Sequence, residues 1–154
     1  MLKLETEFYN ADEAFGYFYK RISKHGVEFA DTRALFNIGF TIHKPEFNNI
    51  WDTKRKWNLA YAKAEWEWYL SGDPSIFKLG DIYGKIPPIW SRMANEVGNV
   101  NSNYGYQWMR NGQLDYVIDK LKKHKHTRHA AISIYDGKEH SKFATDTPCT
   151  YAVQ

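Results

Sequence analysis

The feature that most constrains the fold is an apolar stripe, mostly of large aromatic side chains, spaced for one face of a helix. The stripe lies between Asp52, a capping residue type, and the turn-forming residues 71–74. It predicts a long helix that Asp52 caps and that ends near Leu70. Aromatic residues make up 17% of the chain, so they fill a large core or line a site for a flat ligand. The stripe consists of Trp57, Tyr61, Ala64 and Trp68, at intervals of three and four residues.

Three further helices are predicted from capping residues and apolar periodicity. Asn10 caps the first, which ends at Gly26. The second is short, beginning near Trp90 and ending at Gly98. The third follows a cap at Asn111. Its spacing predicts a buried face made of Leu114, Val117, Ile118 and Leu121.

Strands are predicted over residues 34–42, with a bulge at Gly39, and over residues 130–135 and 149–154. Because strands and helices mix without βαβ regularity, we expect an α+β fold, a mixed sheet with packed helices. The length of 154 residues fits a single domain over residues 1–154. No turn residue follows the last strand, so we expect an N-terminal portion whose second half is missing and whose fold is incomplete.

Composition excludes several classes of protein. One cysteine, Cys149, excludes an internal disulfide framework, and the six histidines show no ligand spacing, so no metal site is predicted. No apolar stretch is long enough for a membrane span and no signal peptide opens the chain, so we expect a cytoplasmic protein that contacts no membrane. A net charge of +3 makes nucleic acid an unlikely partner.

The helix that carries Glu65 and Glu67 offers the first candidate for chemistry. Residues two apart point to opposite sides of a helix, so only Glu65 shares the aromatic face. A carboxylate among rings has its charged form penalised, which suits general acid–base catalysis. The alternative is an exposed Glu beside the stripe, and the pattern alone favours that alternative.

Two other segments each allow a structural and a chemical interpretation. Cys149 is a buried strand cysteine or a nucleophile, and a nucleophile needs a cation and access. Residues 101–108 form a polar, aromatic turn. Tyr104 either packs there or offers a hydroxyl for proton transfer, and the Asn side chains, Asn101 among them, offer donors and acceptors. The basic run 120–129 is a solvated helix end or contributes one or two phosphate ligands.

Taken together, five segments in order resemble the thymidylate synthase family, including its phage pyrimidine-nucleotide hydroxymethylase branch. The resemblance runs from about Trp51 to the last residue. The segments are EWEWYLSGD (65–73), IWSRMANEVG (89–98), NSNYGYQW (101–108), the helix up to HTRH (126–129) and DTPCTYAVQ (146–154).

The resemblance implies transfer of a one-carbon unit from methylene-tetrahydrofolate to carbon 5 of dUMP or dCMP. By position, Cys149 is the nucleophile that forms a covalent adduct at carbon 6, and Glu65 organises water and proton transfers. Tyr104 joins the hydrogen bonds around carbon 5. Trp90 lines the pocket shared by nucleotide and folate, and Asn101 is placed with the substrate-binding residues. No metal is implied.

The residues that would bind phosphate, and those that distinguish the hydroxymethylases from the synthases, match the family pattern less regularly. Arg128 matches the first of an arginine pair that reaches the substrate phosphate across a homodimer interface, but the second position is His129. Arg33 is the candidate for the N-terminal phosphate arginine. Thr150 stands where synthases carry His, and with NSNYG it favours hydroxymethylation over thymidylate synthesis.

Two hypotheses from other classes remain beside the enzyme. One is a non-catalytic fragment, or a binding or assembly protein, derived from this family. The other is an aromatic, basic binder of single-stranded nucleic acid that uses residues 120–128. The second ranks last because Glu65 and Glu67 lie within the richest aromatic segment.

Overall fold

The computed structural model describes residues 6–142 and 145–154, and helices and short strands occur together in them. The α+β class is therefore confirmed. The contacts between residues divide the chain into two compact units, Met1–Asn58 and Leu59–Gln154. The expectation of one domain over residues 1–154 stays a prediction. In the described part of the chain, no helix combines the length and apolar character that crossing a membrane requires.

The first unit is organised by a helix whose ends follow the local sequence signals. The Asn10 side chain accepts a hydrogen bond from the Glu13 N–H, and the Glu13 carboxylate accepts one from the Tyr9 N–H. This reciprocal cap and the stop at Gly26 confirm the first predicted helix. The elements of this unit are β1 (Glu7–Phe8), α1 (Ala11–His25), β2 (Val27–Phe29), β3 (Thr32–Ala34) and β4 (Thr41–Ile42).

The strand predicted over residues 34–42, with its bulge at Gly39, is wrong. β3 ends at Ala34 and pairs antiparallel with β2, whereas β4 begins at Thr41 and pairs parallel with β1. Between them, Asn37 has a φ of 55°. A left-handed residue turns the chain out of the extended conformation, so one continuous strand cannot form.

The long helix predicted from Asp52 is also wrong at its start. Asp52 caps only a 3₁₀ turn, Thr53–Arg55. Lys56 then has a φ of 50°, which ends the helical path, and Trp57 precedes the next helix instead of belonging to it. The helix that carries Glu65 is α2 (Leu59–Leu70).

The second unit has a core built on α2, and Trp68 and Leu79 are fully buried in it. The sequence analysis missed α3, although Ser75 caps its start and Gly84 ends it with a φ of 82°. The short helix near Trp90 ends at Met93, before the predicted Gly98. The helices that follow α2 in this core are α3 (Ile76–Tyr83) and α4 (Pro88–Met93). The buried apolar residues of this core are Ala64, Trp68, Ile76, Leu79, Trp90 and Val100.

In the rest of the second unit, the helix predicted after Asn111 forms, but its cap and its buried face differ from the prediction. Asn111 does not cap that helix, because its φ is 57° inside a 3₁₀ turn, Arg110–Gly112. The predicted buried face is wrong, since no residue of this helix is buried in the structure. Of that face, Ile118 and Leu121 are 42% and 43% exposed. The elements are α5 (Tyr104–Met109), α6 (Gln113–Lys123), β5 (Ile132–Ser133), α7 (Gly137–His140) and β6 (Ala152–Val153).

The two strands predicted near the end of the chain form a short antiparallel pair. Ile132 of β5 lies opposite Val153 of β6. Both strands fall inside the predicted ranges 130–135 and 149–154 but are only two residues long. Their pairing brings the segment that carries Cys149 back to the end of the basic run, where Gln154 Nε2 donates to the Arg128 carbonyl at 3.3 Å.

Candidate active site

Glu65 lies at the end of a chain of two hydrogen bonds within the second unit. The Tyr61 hydroxyl, one turn earlier on α2, donates to Glu65 Oε1 at 2.5 Å. The Trp90 indole N–H on α4 donates to the same hydroxyl oxygen at 2.6 Å. Glu65 is half-buried and Glu67 is exposed, as their two-residue spacing predicted. The fold therefore aims the Tyr61 phenol at one carboxylate oxygen and the Trp90 indole at that phenol.

The Tyr61 hydroxyl keeps its proton across the ordinary pH range. Burial raises the pKa of Tyr61 well above its usual value, and the hydrogen bond and negative charge of Glu65 raise it further. The hydrogen bond from Trp90 acts in the opposite direction but is the smaller effect. Because an indole N–H only donates, the hydrogen bonds run in one direction, from Trp90 through Tyr61 to Glu65.

Tyr69 connects this carboxylate to the candidate catalytic tyrosine. The rings of Tyr69 and Tyr104 meet edge to face, with centroids 5.8 Å apart. Burial is the main cause that raises the pKa of Tyr69, and the charge of Glu65 and the hydroxyls of Tyr61 and Tyr104 add to it. Tyr69 therefore packs against Tyr104 and lies on α2, the helix that also carries Glu65.

Cys149 is tied to this cluster through its backbone. Its N–H donates to the Tyr104 hydroxyl at 3.0 Å. Cys149 itself is exposed, so the structure contradicts a buried strand cysteine and provides the access that a reactive thiol requires. It also precedes β6 instead of lying in a strand. The residue before it, Pro148, is buried and fixes the path of the backbone.

A buried carboxylate, which the sequence analysis missed, holds the segment in place. Asp146 is 4% exposed and accepts hydrogen bonds from the N–H groups of Asn101 and Ser102 and from the Ser102 hydroxyl. In return, the Asn101 side-chain amide donates to the Asp146 carbonyl at 3.1 Å. The Asn101 side chain is therefore engaged in structure here. A lone Asp with no periodic pattern gave no signal beyond its place in DTPCTYAVQ.

The arginines assigned to phosphate have different surroundings. The Arg33 guanidinium belongs to the first unit, where it donates to the carbonyls of Ser23 and Gly26 at the end of α1. Arg128 is exposed in the second unit and contributes its carbonyl to Gln154. Phosphate binding by either arginine stays a prediction. Among the described residues, no three His, Cys, Asp or Glu side chains are grouped so as to hold a metal ion.

Comparison with known proteins places this arrangement in a family. The deoxycytidylate 5-hydroxymethyltransferase of Enterobacteria phage T4 is 37% identical over 81 residues, which are 51% of this chain and 31% of that protein. The thymidylate synthase of Buchnera aphidicola subsp. Acyrthosiphon pisum (strain Tuc7) is 34% identical over 93 residues, 54% of this chain and 34% of that protein. The chain spans about a third of the length of the curated relatives that it matches. The sequence model of the thymidylate synthase family matches residues 16–154, and the chain therefore belongs to that family.

Proposed function

We propose that the protein carrying this chain transfers a one-carbon unit from methylene-tetrahydrofolate to carbon 5 of a pyrimidine deoxynucleotide monophosphate. The observation that carries the proposal is the hydrogen bond from the Cys149 N–H to the Tyr104 hydroxyl. This hydrogen bond supports the proposal because Tyr104 packs on Tyr69 of α2, the helix that also carries the half-buried carboxylate of Glu65. A nucleophile next to a group that moves protons is what covalent catalysis at a ring carbon requires.

Each residue has a defined role in the proposed reaction. The Cys149 thiolate adds to carbon 6 of the pyrimidine, and the electron pair of the ring double bond moves to carbon 5. Carbon 5 then forms a bond to the methylene carbon that the folate supplies as co-substrate. The methylene carbon breaks its bonds to the folate nitrogens as the carbon 5 proton leaves to a base, so that tetrahydrofolate departs and an exocyclic methylene group remains on carbon 5. Water or a hydride then adds to that group, and expulsion of the thiolate from carbon 6 restores the ring double bond. Glu65 organises the water and proton transfers, and Tyr104 contributes a hydroxyl near carbon 5.

We favour hydroxymethylation of dCMP or dUMP, in which water ends the reaction, over methylation by hydride transfer. Thr150 and the NSNYG segment support this preference, and the phage T4 relative is a deoxycytidylate 5-hydroxymethyltransferase. The Buchnera relative, a thymidylate synthase, supports the alternative. In the proposed protein, Trp90 lines the nucleotide and folate pocket, and Asn101 contacts the nucleotide. Arg128 reaches the phosphate of a partner subunit in a homodimer.

The test is release of tritium from carbon 5. The complete protein is incubated with methylene-tetrahydrofolate and with dCMP or dUMP labelled at that carbon, and tritium in water is counted. A parallel absorbance record of dihydrofolate separates the products, because only methylation oxidises the folate. We expect release without dihydrofolate. Cys149→Ser is the control and should release none, since a hydroxyl is a far poorer nucleophile. Nucleotide binding without release would favour the non-catalytic alternative.

A further inference from the structure

We propose that Tyr61 is a positioning residue that fixes the Glu65 carboxylate, so that Oε2 is the oxygen that acts. The proposal rests on the proposed function, because it assigns a role within that site. Tyr61 and Glu65 share one face of α2, and Trp90 reaches the same hydroxyl from α4. One carboxylate oxygen is therefore held by a donor whose own position is set by a second element.

The direction of the hydrogen bonds determines which oxygen of Glu65 Tyr61 binds. The indole of Trp90 has a single proton and no acceptor, so it occupies a lone pair of the Tyr61 oxygen. The single proton of Tyr61 then points to Glu65 Oε1. Among residues 6–142 and 145–154, Oε2 of Glu65 has no hydrogen-bond partner. The oxygen that remains for a water or a nucleotide is therefore Oε2.

Positioning of the carboxylate by Tyr61 matters because rotation about the last torsion of a Glu side chain costs little energy. The terminal sp³–sp² torsion has broad minima, so an unheld carboxylate rotates between two orientations. A misplacement of about 1 Å costs roughly a hundredfold in rate. The phenol ring itself is kept in place by packing, edge to face with Tyr83 at 5.3 Å. The change Tyr61→Phe keeps that packing and removes only the hydroxyl.

The test is a double-mutant cycle of Tyr61→Phe and Glu65→Gln in the complete protein. We expect Tyr61→Phe to lower kcat for tritium release about tenfold or more, with the Kd for nucleotide within about twofold. In the Glu65→Gln background, the same change should lower kcat little further, because the group through which Tyr61 acts is gone. An equal loss in both backgrounds would mean a merely structural role and overturn the proposal. Tyr116→Phe on the exposed face of α6 is the control.

A second measurement does not depend on turnover. In carbon-13 NMR, the Glu65 carboxylate signal should move in Tyr61→Phe and stay in place in Tyr116→Phe. In nitrogen-15 NMR, the Trp90 indole N–H signal should move upfield and exchange faster in Tyr61→Phe. If the wild-type protein releases no tritium, the proposed function fails, and an unchanged Glu65 signal would separately overturn the positioning role.

Discussion

Gly105 of α5 lies directly against the backbone carbonyl of Tyr69 on α2, and a Cβ atom at residue 105 would collide with that carbonyl. Because the two helices meet backbone to backbone, the neighbouring Tyr104 ring reaches the edge of the Tyr69 ring. Tyr104 then receives the Cys149 N–H. The lack of a side chain at Gly105 thus sets how closely Tyr104, and with it Cys149, approaches Tyr69 of α2.

Gly105→Ala should therefore destabilise the protein strongly. The atom that the added methyl group meets is backbone, which cannot rotate away as a flexible side chain would, so α5 must move off α2. We expect the free energy of unfolding to fall by about 3 kcal/mol, the upper end of the range typical of overpacking. Urea denaturation followed by tryptophan fluorescence measures the loss.

Gly16→Ala is the matched control for this prediction. Gly16 lies inside α1, and apart from its chain neighbours and the backbone of its own helix no atom of the described residues lies within 4 Å of where its Cβ would be. Because Ala is a better helix former than Gly, the substitution should stabilise the chain by up to about 1 kcal/mol. A Gly105→Ala protein as stable as Gly16→Ala would contradict the close approach of α5 to α2.

The helices that the sequence predicted correctly are those whose signals are local. The cap at Asn10, Glu13 three residues later and the stop at Gly26 determine α1 within a few residues of each end. The helix predicted from Asp52 failed because Lys56 takes a left-handed conformation. Lysine carries no signal for that conformation, whereas glycine or asparagine would.

Burial and the site depend on contacts that a periodic pattern does not contain. The apolar spacing in α6 correctly predicts a helix but does not say what covers it, and Leu121 is 43% exposed. Helix geometry alone separated Glu65 from Glu67. The Trp90–Tyr61 hydrogen bond, which anchors the partner of Glu65, joins residues 29 positions apart, and the Asn101–Asp146 contact joins residues 45 positions apart. No spacing rule reaches over such distances.

Asp146→Asn should destabilise the segment that precedes Cys149. The buried carboxylate accepts three hydrogen bonds from Asn101 and Ser102. An amide in its place turns an NH₂ group toward those donors, leaving at least one buried group unsatisfied. We expect a loss of about 2–4 kcal/mol in the free energy of unfolding, measured by urea denaturation. Asp81→Asn, on the exposed side of α3, should change it by less than about 0.5 kcal/mol. Equal losses in Asp146→Asn and Asp81→Asn would contradict a stabilising role for the Asp146 hydrogen bonds.

Glu65→Gln and Glu67→Gln should separate in catalysis. The amide that Glu65→Gln introduces still accepts a hydrogen bond from Tyr61 but cannot take up a proton. We expect Glu65→Gln to lower kcat for tritium release by about a hundredfold or more, with nucleotide affinity little changed. Glu67 is exposed on the other side of α2, so Glu67→Gln should stay within about twofold of wild type. Similar losses in both variants would mean that the face assigned to Glu65 is wrong.

His140 gives the fold a dependence on pH whose sign follows from its surroundings. The side chain is 4% exposed, and its Nδ1 accepts the Asp136 N–H at 3.0 Å. Burial is the main cause that lowers the pKa of His140 below its usual 6.5, and the positive charge of Arg110 adds to it. The carboxylates of Asp136, Asp146 and Glu139 act in the opposite direction but do not reverse the shift. The folded protein therefore favours neutral His140.

Because the folded pKa of His140 is the lower one, the unfolded chain binds more protons at pH values between the two pKa values. The contribution of neutral His140 to stability is fully present above about pH 6.5 and is lost as the pH falls through the folded pKa. We expect the free energy of unfolding, measured in urea between about pH 7.5 and 5, to fall less steeply in His140→Asn than in wild type. Asn offers an oxygen to the Asp136 N–H but does not titrate. His126→Asn, at an exposed histidine, is the control variant, and a His140→Asn slope equal to the wild-type slope would refute the shift.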